Sequence, residues 1–308
     1  MHQTEHQSIL KLLRSLLGFG LFFSVFYGVF IFVWGRFLPQ EAHPNLRYLA
    51  GNGGYLKQRL QEVKTEKNLD ILFIGSSRAY RGFDTRIFEK EGWHCFNLGS
   101  SNQSPLQSAY FIRRYRKLLR PKLIVFEVNP EYFQTDGAES SLDLFANERL
   151  DANALSLLIA QCQPLIWNSF TYAFLNQTLF HVKIPSTTSL EDCYHRGGYV
   201  EKKKRPTASE TLTQPSPTRL DQRACFKDLI HELKRQKQAY LLVQAPTTIS
   251  RRKRFKYTAA FDKQMQKLGP YLNGNQLLPT LSTSDFYDSH HLSQQGVAKW
   301  NHCILLHL

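Results

Sequence analysis

No two of the five cysteines, Cys95, Cys162, Cys193, Cys225 and Cys303, stand in a CxxC pair, so the thiolate framework of a structural zinc site is missing. Neither a metal nor a cofactor is called for. An odd number excludes complete disulfide pairing. Cys193 and Cys225 flank one polar stretch and form a candidate pair if that stretch lies outside the cell; isolated buried thiols are the equal alternative. Acidic residues are scarce, 25 against 39 Lys and Arg, leaving a net charge of +14. Most of that surplus falls between Glu201 and Pro270, where 17 basic residues face 6 acidic ones. Such a balance favours polyanions, but no recognised nucleic-acid-binding motif accompanies it, and no nucleic-acid partner is expected. No internal repeat is present. With 42% hydrophobic residues across 308 positions the chain is no disordered polymer, and it has room for one large or two small domains.

Charge is absent altogether from Leu16 to Trp34, a run of 19 residues rich in Leu, Phe, Val and Ile. As a helix it would measure about 28 Å, close to the roughly 30 Å of a bilayer's hydrocarbon. A cleaved signal peptide has a shorter apolar core followed by a small-x-small site, whereas this run ends in Val33-Trp34-Gly35-Arg36. The pattern predicts an uncleaved membrane anchor. Lys11 and Arg14 precede it and Arg36 and Arg47 follow, so the flanking charges are nearly balanced. The expected arrangement is single-pass in the cell membrane, with a cytoplasmic N-terminus and an extracytoplasmic main domain. Three regions result: tail and anchor at 1–37, a connector at 38–69, and the main domain at 70–308.

Beyond a helix expected over Tyr55 to Glu66, short apolar runs alternate with helical spacing. Asp70 to Gly75, His94 to Gly99 and Lys122 to Val128 read as buried strands, with helices between them, notably Gln107 to Leu119. The rhythm breaks over about 131–219, an insertion that is helical from Leu150 to Asn176 and loop-like from Pro185 to Pro217. It resumes with a helix from Asp221 to Gln238, a strand from Tyr240 to Ala245, a basic segment from Arg251 to Lys256, a further helix, a short run near Leu277 and Leu278, and a closing helix from about Ser293. The order predicts an α/β fold, a three-layer parallel sheet.

Three stretches carry chemistry. Gly75-Ser76-Ser77-Arg78 follows the first strand, where a tight turn holds a serine hydroxyl outward, as an acyl-transfer nucleophile requires; helix capping is the plainer explanation. Asn97-Leu98-Gly99-Ser100-Ser101-Asn102 follows the second, and its glycine leaves a backbone donor suited to an oxyanion hole. Near the C-terminus, Asp288-Ser289-His290-His291 sets Asp and His three apart, so that the carboxylate can orient the imidazole as a base. Paired histidines are also metal-ligand types, but no further acid or His cluster stands nearby. Arg78 and Arg81 are candidates for binding an anionic polymer or phosphate, or are solvent-facing helix residues.

In this order the blocks resemble the SGNH (GDSL-like) hydrolase and acyltransferase superfamily, over roughly Asp70 to Asn129 and Ser284 to Leu308. The resemblance implies a flavodoxin-like sheet and a Ser-His-Asp triad of Ser77, His291 and Asp288, with Ser76 where the family has Asp. Gly99 matches the second block. The third block appears as Glu127-Val128-Asn129-Pro130, retaining only its Asn; the oxyanion donor is then Asn129 or its rival Asn102. The N-terminal anchor and the large insertion resemble the membrane-tethered branch that includes teichoic-acid D-alanylation and alginate O-acetylation proteins. That likeness implies a serine esterase or O-acyltransferase acting on a cell-envelope polysaccharide, a related polymer or an acylated small molecule, with a membrane acyltransferase as partner. A catalytically idle scaffold that binds an envelope glycan or such a partner is the alternative.

Overall fold

A computed structural model describes residues 2–48, 54–181, 192–203, 220–254 and 259–308. The Pro, Ser and Thr-rich tract, Lys204 and Arg205 of the Lys-Lys-Lys-Arg run, and Lys256 lie outside the described residues. The chain divides into two compact units, one made of residues 1–48 with 162–183, the other of 49–161 with 184–308. A piece of the insertion thus belongs with the N-terminal helix.

In the first unit, α1 runs from His2 to Phe37. It is long and apolar enough to cross a bilayer, a description that fits an anchor and a signal sequence alike. Ile31 and Phe32 of α1 bury against Leu46 and Tyr172, Tyr172 lying in the insertion.

The second unit begins with α2 (Leu56–Glu62), β1 (Ile71–Ile74), α3 (Ser77–Tyr80), α4 (Thr85–Lys90), β2 (Cys95–Asn97), α5 (Pro105–Leu119) and β3 (Leu123–Glu127). The insertion supplies α6 (Ala138–Asn147) and α7 (Ala152–Gln161) here, and α8 (Pro164–Leu175) to the first unit. A hairpin follows, β4 (Asp192–His195) with β5 (Tyr199–Lys202), then α9 (Gln222–Arg235), β6 (Ala239–Gln244), α10 (Ile249–Arg254), α11 (Ala259–Leu268), β7 (Tyr271–Asn273), α12 (Gly274–Leu277) and α13 (Gln294–Leu305). All neighbours in the five-stranded sheet β2-β1-β3-β6-β7 pair in parallel. The α/β class is the one the strand and helix rhythm predicts.

Because side chains alternate across a strand, each face of the sheet is buried. Ile71 and Phe73 point with Val125, Leu241 and Val243 into a cluster holding Phe83, Phe88 and Trp300. On the other side the ring of Phe126 meets that of Phe226 from α9 edge-on at 5.6 Å. Two details differ from the sequence expectation. The last strand is Tyr271–Asn273, while Leu277 ends α12, because the half-buried Tyr-Leu-Asn segment beside β6 is too short and too polar to read as a strand. The loop-like stretch also contains a hairpin: Gly197 and Gly198 turn it with φ of 86° and 91°, bracketed by Tyr194, Tyr199 and Val200, a turn signal that precedes the chemistry of the tract. Cys193 and Cys225 are not bonded to each other.

Trp300 is fully buried under the sheet on α13, with its ring 6.1 Å from Phe83. Trp300→Ala is expected to cost about 3–5 kcal/mol of stability, measured as a lowered denaturant midpoint with an unchanged m-value.

Candidate active site

The sheet order places the crevice. From β1 the chain steps to β2 on one side and then returns to β3 on the other, and in open parallel sheets ligands bind beyond the carboxyl ends of strands at such a reversal. The turns after β1 and β3 meet there. Gly75 has φ 152°, and a Cβ on it would lie 3.0 Å from both the Cβ and the carbonyl oxygen of Glu127, so only glycine permits this approach. Ser76 then caps α3, its hydroxyl accepting from the N–H of Arg78, and Ser77 opens the helix partly exposed.

The other half of the site arrives from the chain's end. Phe286 and Leu292 form an isolated antiparallel bridge, and the Tyr287 amide donates to the His291 carbonyl at 2.7 Å. Within that closed loop Asp288 Oδ1 accepts the amides of His290 and His291 at 2.9 and 2.7 Å. Its Oδ2 lies 2.7 Å from His291 Nδ1, and His291 Nε2 lies 2.8 Å from Ser77 Oγ, 214 residues away in sequence. A carboxylate only accepts, so Nδ1 carries the proton and Nε2 accepts from the serine hydroxyl.

His290 adds a second imidazole to the same carboxylate. Its Nδ1 is 3.2 Å from Asp288 Oδ1, and its ring centre is 3.9 Å from that of His291. The ligand-type atoms of Asp288, His290 and His291 lie within 4.8 Å of one another. Burial raises the pKa of Asp288, but the His291 hydrogen bond, the field of both imidazoles and the His290 amide outweigh it and hold the carboxylate well below the usual range. For His291, burial is the main cause of a pKa pushed down to about 3; His290 and Arg81 lower it further, while Asp288 opposes them.

The expected oxyanion donors are placed differently. The N–H of Gly99 donates to Asn97 Oδ1 at 3.1 Å. Gly99 is glycine because a Cβ would sit 3.0 Å from the Gly75 carbonyl oxygen and 3.1 Å from the Tyr80 nitrogen; it packs one carboxyl-edge turn against another. Asn129 is buried, its NH2 donating to Glu127 Oε2 at 3.1 Å and its Oδ1 accepting from the Tyr132 amide at 2.9 Å. Asn102 is exposed with a left-handed φ of 51°, and its Oδ1 accepts from Thr135 Oγ1; its NH2 donates to no protein acceptor among the described residues.

Arg78 and Arg81, expected at an anionic ligand, are both engaged in ion pairs within the chain. Arg78 is 4% exposed, with Nε 3.2 Å from Glu127 Oε1 and Nη2 donating to the Ala245 carbonyl. It ties the turn after β1 to those after β3 and β6 instead of facing a ligand. Arg81 donates twice to Asp192, at 3.0 and 2.9 Å, and its guanidinium lies over the Tyr80 ring. Sequence reading missed both partners, because the pairs span 49 and 111 residues and no local spacing announces them. Asn97 has a structural role that no local pattern announces. Its NH2 bonds the Ala79 and Phe83 carbonyls, stapling β2 to the turn that carries Ser77.

No protein-family model matches the chain, and no curated protein matches it. Among solved structures, that of a "putative acylhydrolase" from Bacteroides fragilis is 16% identical with a TM-score of 0.32, covering 82% of this chain and 93% of that one. At that level of superposition the likeness adds nothing to what the site's own geometry says.

Removing Arg78 leaves the buried carboxylate of Glu127 without its ion-pair partner, with hydrogen bonds such as that from the Asn129 NH2 as its remaining support. Arg78→Ala is therefore expected to lower stability by about 3–5 kcal/mol, read by chemical denaturation; a residue that only bound ligand would leave the midpoint unmoved.

Proposed function

We propose that this chain is a serine esterase or O-acyltransferase that works through an acyl-serine, with α1 as its membrane anchor and an ester of a cell-envelope polymer or a related acylated molecule as substrate. The observation that carries this reading is the continuous hydrogen-bonded chain from Ser77 through His291 to Asp288, all three half-buried, with Ser77 just beyond the carboxyl end of β1. A hydroxyl that already donates its hydrogen bond to a neutral imidazole nitrogen is ready for acyl transfer.

As Ser77 Oγ bonds to the ester carbonyl carbon, its proton passes to His291 Nε2, and Asp288 stabilises the imidazolium. The tetrahedral intermediate collapses, the leaving alkoxide takes the proton from Nε2, and the acyl group stays on Ser77. Water or a sugar hydroxyl then repeats the sequence, giving its proton to Nε2 and releasing the serine. The oxyanion needs donors that are not already engaged. The N–H of Ser77, at the first position of α3, has no intrahelical acceptor, and the NH2 of Asn102 is the second candidate; each such donor is worth roughly 2.7–4 kcal/mol of barrier. The ammonium of Lys202 lies over the ring of Tyr287, the residue before Asp288, at 4.1 Å and suits an acidic polymer or a phosphate-bearing group.

One observation favours a second reading. Gly99 and Asn129, the donors that the block pattern suggests, are both spent on structural hydrogen bonds. An idle scaffold that holds an envelope glycan or a membrane acyltransferase in the same crevice would need neither.

A fluorophosphonate probe separates the two. Covalent labelling of the native chain, abolished in Ser77→Ala and in His291→Ala with the fold retained, is expected of the enzyme; an unlabelled native protein sinks it. A pH dependence follows from His291. Its folded pKa lies below the ordinary 6.5 at about 3, so the base stays neutral and labelling persists as the pH falls through 6.5, failing only at strongly acid pH. Because the depressed group charges more readily when unfolded, its contribution to stability is complete above about 6.5 and declines toward about 3. His290→Gln removes the imidazole whose field lowers the His291 pKa and should move the acid limb of labelling toward higher pH.

A further inference from the structure

We infer that α8 and the π-helical turn behind it, Asn176–Phe180, form a second membrane-inserted element, seated in the hydrocarbon beside the C-terminal half of α1 with phospholipid chains covering its outer face. This rests on the anchor reading of α1.

The contacts set the depth. Leu175 Cδ1 would lie 3.7 Å from a Cβ on Gly28, the Tyr172 ring fills the notch at Gly35, and the ring of Phe180 stacks on Phe32 at 3.8 Å. Gly28 is six residues before Trp34, or about 9 Å along the helix axis inside the end of the charge-free span. If α1 crosses a bilayer, whatever packs at Gly28 is inside it as well. Gly28 and Gly35 are seven apart and so lie on one face, the spacing by which small residues let helices approach in membranes.

The chemistry of the segment suits that place. From Ala152 to Phe180 the sequence has 29 consecutive residues without Asp, Glu, Lys or Arg. Asn168, Tyr172 and Leu175 face α1, and the opposite stripe carries Trp167, Phe170 and Phe174, with Trp167 and Phe174 exposed like Leu179 and Phe180 beyond them. In water that aromatic stripe would be a liability. The polar groups turn inward: Asn168 accepts from Tyr27 Oη at 2.6 Å and donates to the Asn45 carbonyl, and Ser169 Oγ accepts the Arg47 amide. Thr178 and Ser24 return their hydroxyls to the carbonyls of Phe174 and Gly20, as helices in lipid must. Beside α8, a mostly apolar cleft of about 200 Å³ opens between Tyr27, Phe30, Trp34, Pro44 and Asn168.

The test uses the full chain in phosphatidylcholine vesicles, with p-benzoylphenylalanine replacing in turn Phe22, Phe174, Leu179 and, as a control on the other unit, the exposed Lys90. All four positions are exposed, so packing is spared. After irradiation, mass spectrometry should find phospholipid adducts at Phe174 and Leu179 in yields comparable with Phe22, and none at Lys90. Adducts at Phe22 but none at Phe174 or Leu179 would overturn the inference and leave the anchor intact. Crosslinks from Phe174 to a second copy of the chain in place of lipid would overturn it in favour of self-association. Absence of adducts at Phe22 would remove the anchor, and this inference with it.

Discussion

Ser77 and His291 meet because three turns at the carboxyl edge of the sheet are pinned to one another by buried polar contacts. The Arg78 and Glu127 pair, under 4% exposed on both sides, joins the turn after β1 to β3, and the same guanidinium reaches the Ala245 carbonyl after β6. Asn97 ties β2 to α3. Glycines at 75 and 99 let these backbones come within van der Waals distance, each at a position where a Cβ would meet a carbonyl oxygen at 3.0 Å. Burying a charge pair seldom gains stability over an apolar replacement, but it penalises every arrangement in which the two charges separate. Here that penalty fixes where the serine-bearing turn stands relative to the strands beside it.

Electrostatics prepare the same constellation for proton transfer. Asp288 is shared by two imidazoles and two backbone amides, which keep it ionised despite burial. His291 is under the opposite pressure: burial first, and then the fields of His290 and Arg81, disfavour a second proton. The outcome is a neutral base beside a fixed anion. A base with so low a pKa in the resting state is a weak one; in the proposed reaction it would gain strength as negative charge developed on the substrate oxygen, so that the site would respond to the transition state more than to the ground state.

How much of this was legible in the chain depends on the range of the interaction. The alternation of apolar runs with helical spacing predicts the sheet, since a strand buried on both faces has little choice but Ile, Leu, Val and Phe. Ser77, Asp288 and His291 stand out because a turn serine and an Asp-x-x-His loop are local patterns, and the structure brings them together. Gly99 was identified for a backbone donor, whereas what demands glycine there is the close packing of two turns. Asn129 likewise serves as a cap for the turn that follows it. Partners such as Glu127 for Arg78, Asp192 for Arg81 and Asn301 for the Asp84 amide depend on register and on crossover connections, which leave no mark in neighbouring residues.

Hydrolysis and transfer share the first half of the proposed reaction, and the triad does not choose between them. Once the acyl group is on Ser77, the outcome is a competition between bulk water and an acceptor hydroxyl. A well-oriented bound reactant behaves as though present at up to about 10⁵–10⁸ M, far above the concentration of water, so a modest acceptor site suffices to make a transferase. Such a site would draw on groups linked to the triad: Tyr287, next to Asp288 in sequence with Lys202 over its ring, and Arg81, which acts on His291 and is held by Asp192 of the hairpin. Arg81 is held by Asp192 and also bears on His291 by its charge, so an acidic acceptor that drew Arg81 away from the hairpin would raise the basicity of the imidazole as it bound. In the proposed transferase, recognition of the acceptor and strength of the base would in this way be coupled through one guanidinium.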